Sequence, residues 1–225
     1  MERNRSLDEI SDGKFYSLND MVKADCNDCK GCSACCHGMG SSIVLDPLDV
    51  YRLCAIENQS FEQLLTDKIE LNVVKGIILP NLKMIGESEH CAYLNDEERC
   101  SIHPSRPGIC RIFPLGRIYE NNSFQYILQV HECKKSNKTK VKVSKWIDTP
   151  DLKQNEEFIA EWHYFIKELQ ELILNTKDES FIKQLNLLVL NAFFVKPYDT
   201  SKDFYEQFHI RLKESKKLLT NQNEG

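Results

Sequence analysis

Cys26-Asn-Asp-Cys29-Lys-Gly-Cys32-Ser-Ala-Cys35-Cys36 is the densest chemistry in the chain, and the fold has to be read outward from it. In a C-x-x-C pair two thiolates converge on one metal while the backbone N–H groups between them point at the sulfurs. Metal–thiolate bonding deprotonates each thiol and supplies folding free energy. Gly31, Ser33 and Ala34 are small enough for a loop wrapped closely round such a centre. Cys35 and Cys36 are adjacent, and neighbouring side chains normally diverge. They therefore suit two metal centres, or two irons of one cluster, better than side-by-side chelation of a single ion.

Three successive C-x-x-C steps are similar to the first part of a ferredoxin-type run. A second group follows at Cys91, Cys100, Cys110 and Cys133. Leu94-Asn-Asp-Glu97 between the first two is a turn sequence, so a hairpin brings those thiols together. Pro104, Pro107 and Pro114 stiffen the chain around Cys110. Arg106 and Arg111 are the expected cofactor-side residues, placed to balance anionic thiolates or to donate to sulfur, a supporting role that tunes metal sites.

The rest of the chain bounds the reading. At 225 residues it can bury one good core, or a core with a small satellite. With 41% hydrophobic and 28% charged residues, wholesale disorder is excluded, and a net charge of -5 gives no reason to expect nucleic acid as a partner. Met1 to Asp12 is polar, unlike an export signal, and Leu185 to Val195 is too short to span a bilayer. No membrane partner is expected, and the expected setting is cytoplasmic. In that setting ten cysteines point to metal or redox chemistry rather than to a disulfide scaffold.

Periodicity predicts an α+β fold: a small cysteine-rich metal-binding core with short strands and helices, followed by a C-terminal three-helix region. Residues 1–25 read as a polar lead-in, 26–147 as the cysteine-cluster domain and 148–225 as helices packing on it. Ile43 to Leu45 reads as a short strand. Asp46-Pro47 opens a helix, and Ser60 with Gln63 forms a capping box for another through about Glu70. Pro80-Asn81 reads as a turn between Gly76 to Leu79 and Leu82 to Ile85, and Asn121-Asn122-Ser123 as the turn of a hairpin. Lys138, Lys140 and Lys142 alternate as on an exposed edge strand. Helices are then expected from Thr149-Pro150, from Asp178 to Val195, and from Thr200 or Ser201 onward.

The cysteine pattern resembles the YkgJ-type cysteine-cluster proteins, whose CxxCxxCC domain chelates zinc or iron. The matching residues are Cys29-x-x-Cys32-x-x-Cys35-Cys36, the Asp46-Pro-Leu-Asp49 helix start, Cys91-Ala-Tyr-Leu94, Cys100-Ser-Ile-His103, Arg106-Pro107, Cys110-Arg111-x-x-Pro114 and Cys133. The resemblance covers roughly residues 26–135. It implies eight metal ligands, Cys29, Cys32, Cys35, Cys36, Cys91, Cys100, Cys110 and Cys133, with Cys26 and Cys54 outside the pattern. Thiolates suit zinc and iron–sulfur clusters alike, so ligand type leaves both open. The lead expectation is an iron–sulfur cluster of the 4Fe–4S type in an electron-transfer or redox-accessory protein. The alternative is a zinc-stabilised structural module, with a protein partner on its helical third. A third alternative is a protein-modifying enzyme such as a lysine methylase, because a flagellin lysine methylase has a similar cysteine region, although no glycine-rich cofactor loop stands among the nine glycines to support it. His37, His90, His103 and His131 are spare zinc ligands in a chain already rich in thiols, and Cys54 reads as core.

Overall fold

A computed structural model of the chain describes residues 7–222 apart from Asp28 and Gly31. Helices and several small sheets form an α+β fold, grouped into two units: Met1–Val44 with Leu82–Glu161, and Leu45–Asn81 with Trp162–Gly225.

In the first unit a helical turn, α1 (Leu7–Ile10), leads directly into β1 (Ser11–Tyr16). β1 pairs with β8 (Ser123–Gln129), which pairs with β7 (Leu115–Glu120), giving a three-stranded sheet in the order β1-β8-β7. Asn121 and Asn122 join β7 to β8 with φ of 52° and 57°. Both central residues of this hairpin turn need positive φ, which asparagine tolerates. β2 (Met21–Asp25) pairs antiparallel with β9 (Thr139–Lys142), turning Val22 and Ala24 inward and Met21 and Lys23 outward. Residues 11–25, expected as a lead-in, thus supply two strands. The core gathers Val22, Ala24, Ile112, Leu115, Tyr126, Leu128, Val143 and Ile147. Ile112 comes from α4 (Gly108–Ile112), and Val143 and Ile147 from α5 (Val143–Ile147). The two shortest strands, β5 (Met84–Ile85) and β6 (His90–Cys91), carry the start of the second cysteine group.

In the second unit α2 (Pro47–Glu57) starts as the sequence predicts. The Asp46 carboxylate accepts the Asp49 N–H at 2.9 Å, and the Asp49 carboxylate accepts the Asp46 N–H at 3.3 Å. Asp46→Ala is expected to cost about 1 kcal/mol, the usual worth of such a cap, measured as a lower urea midpoint at unchanged slope. Ser60 and Gln63 form the second box, opening α3 (Phe61–Asp67). This helix stops before Glu70 because Ile69 already begins β3 (Ile69–Val74). β3 pairs with β4 (Ile77–Leu82) round Lys75-Gly76, with φ of 50° and 88°. Pro80-Asn81 therefore lies within a strand rather than at the turn. The stretch Ile43–Leu45 forms no full strand, although Leu45 N–H bonds the Pro80 carbonyl at 2.8 Å.

The long α6 (Leu152–Leu174) reaches into this unit and is followed by α7 (Glu179–Leu190). Asp178 caps α7, accepting from Ser180 and Phe181 N–H. A π-helical turn over Asn191–Val195 ends it ahead of Pro197. α8 (Phe204–Gln222) begins later than Thr200 or Ser201, because the Asp203 carboxylate accepts the Glu206 N–H at 2.9 Å. Trp162, Phe165, Phe193 and Phe208 pack with ring centroids 5.0 to 5.8 Å apart from Phe193. Among the described residues no helix is long and apolar enough to cross a membrane.

Candidate metal centre

The first cysteine run folds into a tight loop. Asn27 and Cys29 both have a left-handed backbone, each at φ 57°. Lys30 N–H donates to Asn27 O and Cys32 N–H to Cys29 O, each at 3.0 Å. This turn sets Cys26 Sγ 3.6 Å from Cys29 Sγ. A short 3-10 turn, Ala34–Cys36, then presents the adjacent cysteines.

Backbone pairing delivers Cys91 and Cys100, the first two members of the second group, to the same place. His37, next to Cys36, pairs with His90, next to Cys91, and Gly38 N–H donates to Glu89 O at 2.8 Å. Leu94 pairs with Cys100 in a second isolated bridge. Asn95 builds the turn between them, its side-chain oxygen accepting from Glu97 and Arg99 N–H at 3.1 and 2.8 Å. At the tip, Glu98 reaches back to the first run. It accepts the Ser33 hydroxyl and stands 3.0 Å from His37 Nε2. Those two contacts, Ser33 first, hold the Glu98 carboxyl below its ordinary range.

The thiols feel one another across this junction. Burial foremost, then Cys26 and Cys35, push Cys29 up to about 12 against the pull of Arg106. Cys35 is brought down to about 7, chiefly by the hydrogen bond from Cys36. Cys36 is held well above its usual range by that bond, by burial, and by Cys35, Cys91 and Cys100. Burial also raises Cys100, opposed by the Ile102 N–H and by Arg106.

A family model named CxxCxxCC and described as a "Putative zinc- or iron-chelating domain" matches residues 28–146, just over half of the chain. The chain belongs to the CxxCxxCC family. No curated protein and no solved structure matches it. The family is one of zinc or iron chelators, so metal binding is the function class of this protein.

Within the CxxCxxCC domain the two arginines differ. Arg106 acts on Cys29, Cys35 and Cys100, and its guanidinium bonds His103 Nδ1 and the His103 carbonyl, both at 2.9 Å. Arg111 is buried and spends its N–H groups on carbonyls: Nε on Arg106 O at 3.1 Å, Nη1 on Asp148 O at 2.9 Å, and Nη2 on Pro104 O. It braces the segment that carries Arg106. Cys110 sits on α4, and Cys133 lies between β8 and β9. Lys135 Nζ bonds the Lys30 carbonyl at 3.1 Å, tying the stretch after Cys133 to the first cysteine loop. Cys54 lies on α2 in the other unit, half-buried, with burial pushing it up to about 11.

Among the described residues no three His, Cys, Asp or Glu side chains are already gathered round one point as a metal would hold them. The donor chemistry nonetheless fits. Every thiol at the junction is a soft ligand suited to zinc or iron–sulfur, and several neighbouring thiols ionise together only when a cation shares their charge. Two residues of this junction are absent from the family pattern. Cys26 stands beside Cys29, and Glu98 fastens the two cysteine groups together. Only the i, i+3 spacing of Cys26 hinted at the first. Nothing local marks Glu98, because its partners lie more than 60 residues away.

Proposed function

We propose that the protein carries an iron–sulfur cluster of the 4Fe–4S type, with Cys29, Cys32, Cys35, Cys36, Cys91, Cys100, Cys110 and Cys133 as the ligand pool, and serves in electron transfer or as a redox accessory. The carrying observation is the His37–His90 backbone bridge, which brings Cys91 and Cys100 of the second group within electrostatic reach of Cys35 and Cys36 in the first. Four thiolates hold one such cluster, so eight provide for two centres. The bound cluster supplies reversible one-electron exchange. The chain's own residues do the rest. The His37–His90 bridge and the Glu98 contact fix the spacing of the two groups, and Arg106 offsets thiolate charge. Cys29, Cys32, Cys35, Cys36 and Cys100 are only half-buried, which leaves a centre near the surface and open to a protein partner.

The second reading is a zinc-stabilised binding module. It is favoured by the short bridged loops beside Cys36, Cys91 and Cys100, a setting in which closed zinc sites serve structure. Purification without oxygen, with iron, acid-labile sulfide and zinc measured per chain and a visible spectrum recorded, separates the two. Iron with equimolar sulfide and broad visible absorption is expected. A colourless protein holding about two zinc ions and no sulfide, one per four thiolates, overturns the cluster.

A further inference from the structure

Cys26 precedes the family match, which begins at residue 28. We infer that Cys26 is a ninth metal-ligating thiol, sharing an ion with Cys29. This inference rests on the metal-binding reading above in the form of a single-ion site, and it adds a residue to that reading. Two thiolates share one zinc-type ion, whereas each iron of a 4Fe–4S cluster takes one thiolate. The geometry is that of two ligands on one ion. With metal–sulfur bonds of about 2.3 Å and tetrahedral angles, two ligand sulfurs stand about 3.8 Å apart. The observed Cys26–Cys29 separation is 3.6 Å. A disulfide needs about 2.05 Å, so the pair is poised as two separate thiols.

The loop is built to keep them there. Asn27 and Cys29 both take the left-handed conformation that non-glycine residues seldom adopt, and such residues gather at ligand clamps. The Asp25 carboxylate accepts the Asn27 N–H at 3.0 Å and the Thr139 hydroxyl at 3.2 Å, pinning the Cys26 end of the loop to β9. Cys26 itself is 8% exposed, yet it lines a cleft of about 530 Å³ with Asp25, Asn27, Lys135 and Thr139. The cleft is a route by which an ion reaches buried sulfur. On binding, each thiol gives its proton to solvent and its sulfur donates an electron pair to the metal, so no oxidant is required.

Differential alkylation of the protein purified without oxygen tests this. Iodoacetamide labelling, followed by peptide mass spectrometry, is compared before and after the metal is stripped with a chelator. Cys26 and Cys29 are expected to label at least about tenfold faster once stripped, because metal-bound thiolate is masked, while Cys54 changes little. Faster labelling of the eight family cysteines with no change at Cys26 overturns the inference alone. No change at any cysteine overturns the metal-binding reading and this one with it. A Cys26→Ser variant loaded with cobalt(II) gives a second readout. Its sulfur-to-metal charge-transfer absorption should fall by one thiolate's share, and absorption equal to that of the unaltered chain overturns the assignment. The alkylation result stands even where the variant folds poorly.

Discussion

Cys36→Ser is expected to empty the centre it serves. Loss of a supporting residue at a metal site already costs about 10–100-fold in affinity, so loss of a thiolate should cost at least the upper end of that range. Structural zinc contributes about 10–16 kcal/mol to folding at neutral pH, which spread over four thiolates is about 2.5–4 kcal/mol for each. Cys36 is the most exposed to this loss because of where it stands. It bonds Cys35 and feels Cys91 and Cys100, so it joins the first cysteine run to the second. Metal content per chain, measured by elemental analysis after gel filtration, should drop by one centre. Cys54→Ser, on a helix of the other unit, should leave it unchanged. Unaltered metal content in Cys36→Ser removes Cys36 from the ligand set.

What could be read in the sequence was whatever a few neighbouring residues decide. Asp46-Pro47 and Ser60 with Gln63 cap their helices because a cap needs only a side-chain acceptor within three residues of its donor. Asn121-Asn122 makes its hairpin for the same local reason. Pro80-Asn81 misled because a proline in a two-stranded sheet can place its missing N–H on the unpaired side. The actual turn at Lys75-Gly76 carries a weaker signal. β1 was illegible because five of its six residues are not buried, so pairing with β8 through the backbone alone leaves no apolar alternation to find. The candidate site divides likewise. The C-x-x-C steps announce themselves, whereas the contacts of Glu98 with Ser33 and His37 depend on segments meeting in space. Arg111 shows the limit most clearly: its residue type and its place beside Cys110 suggested a partner for sulfur, while its Nε, Nη1 and Nη2 each donate to a backbone oxygen.

Arg111 is 6% exposed, and its fork satisfies the carbonyls of Pro104, Arg106 and Asp148. A hydrogen bond from a charged group nets about 1.5–3 kcal/mol, and deleting the donor leaves buried acceptors unsatisfied. Arg111→Met should therefore cost about 4 kcal/mol even allowing for the packing methionine restores, a large share of the 5–15 kcal/mol available to most domains. Arg111→Lys keeps the charge but not the planar fork, so it should recover only part. Arg106→Gln should behave in the opposite way. Arg106 is half-buried beside the thiols, so its loss should leave the urea midpoint of the metal-free protein nearly unchanged and weaken metal binding by about 10–100-fold. Measuring urea unfolding of the stripped proteins alongside metal affinity separates a brace from a charge partner. Were Arg111→Met to lose metal while unfolding at the midpoint of the unaltered chain, Arg111 would belong with Arg106 at the sulfurs. The expected pattern is the reverse, because two of the three carbonyls it holds, those of Pro104 and Arg106, belong to the segment on which Arg106 is carried.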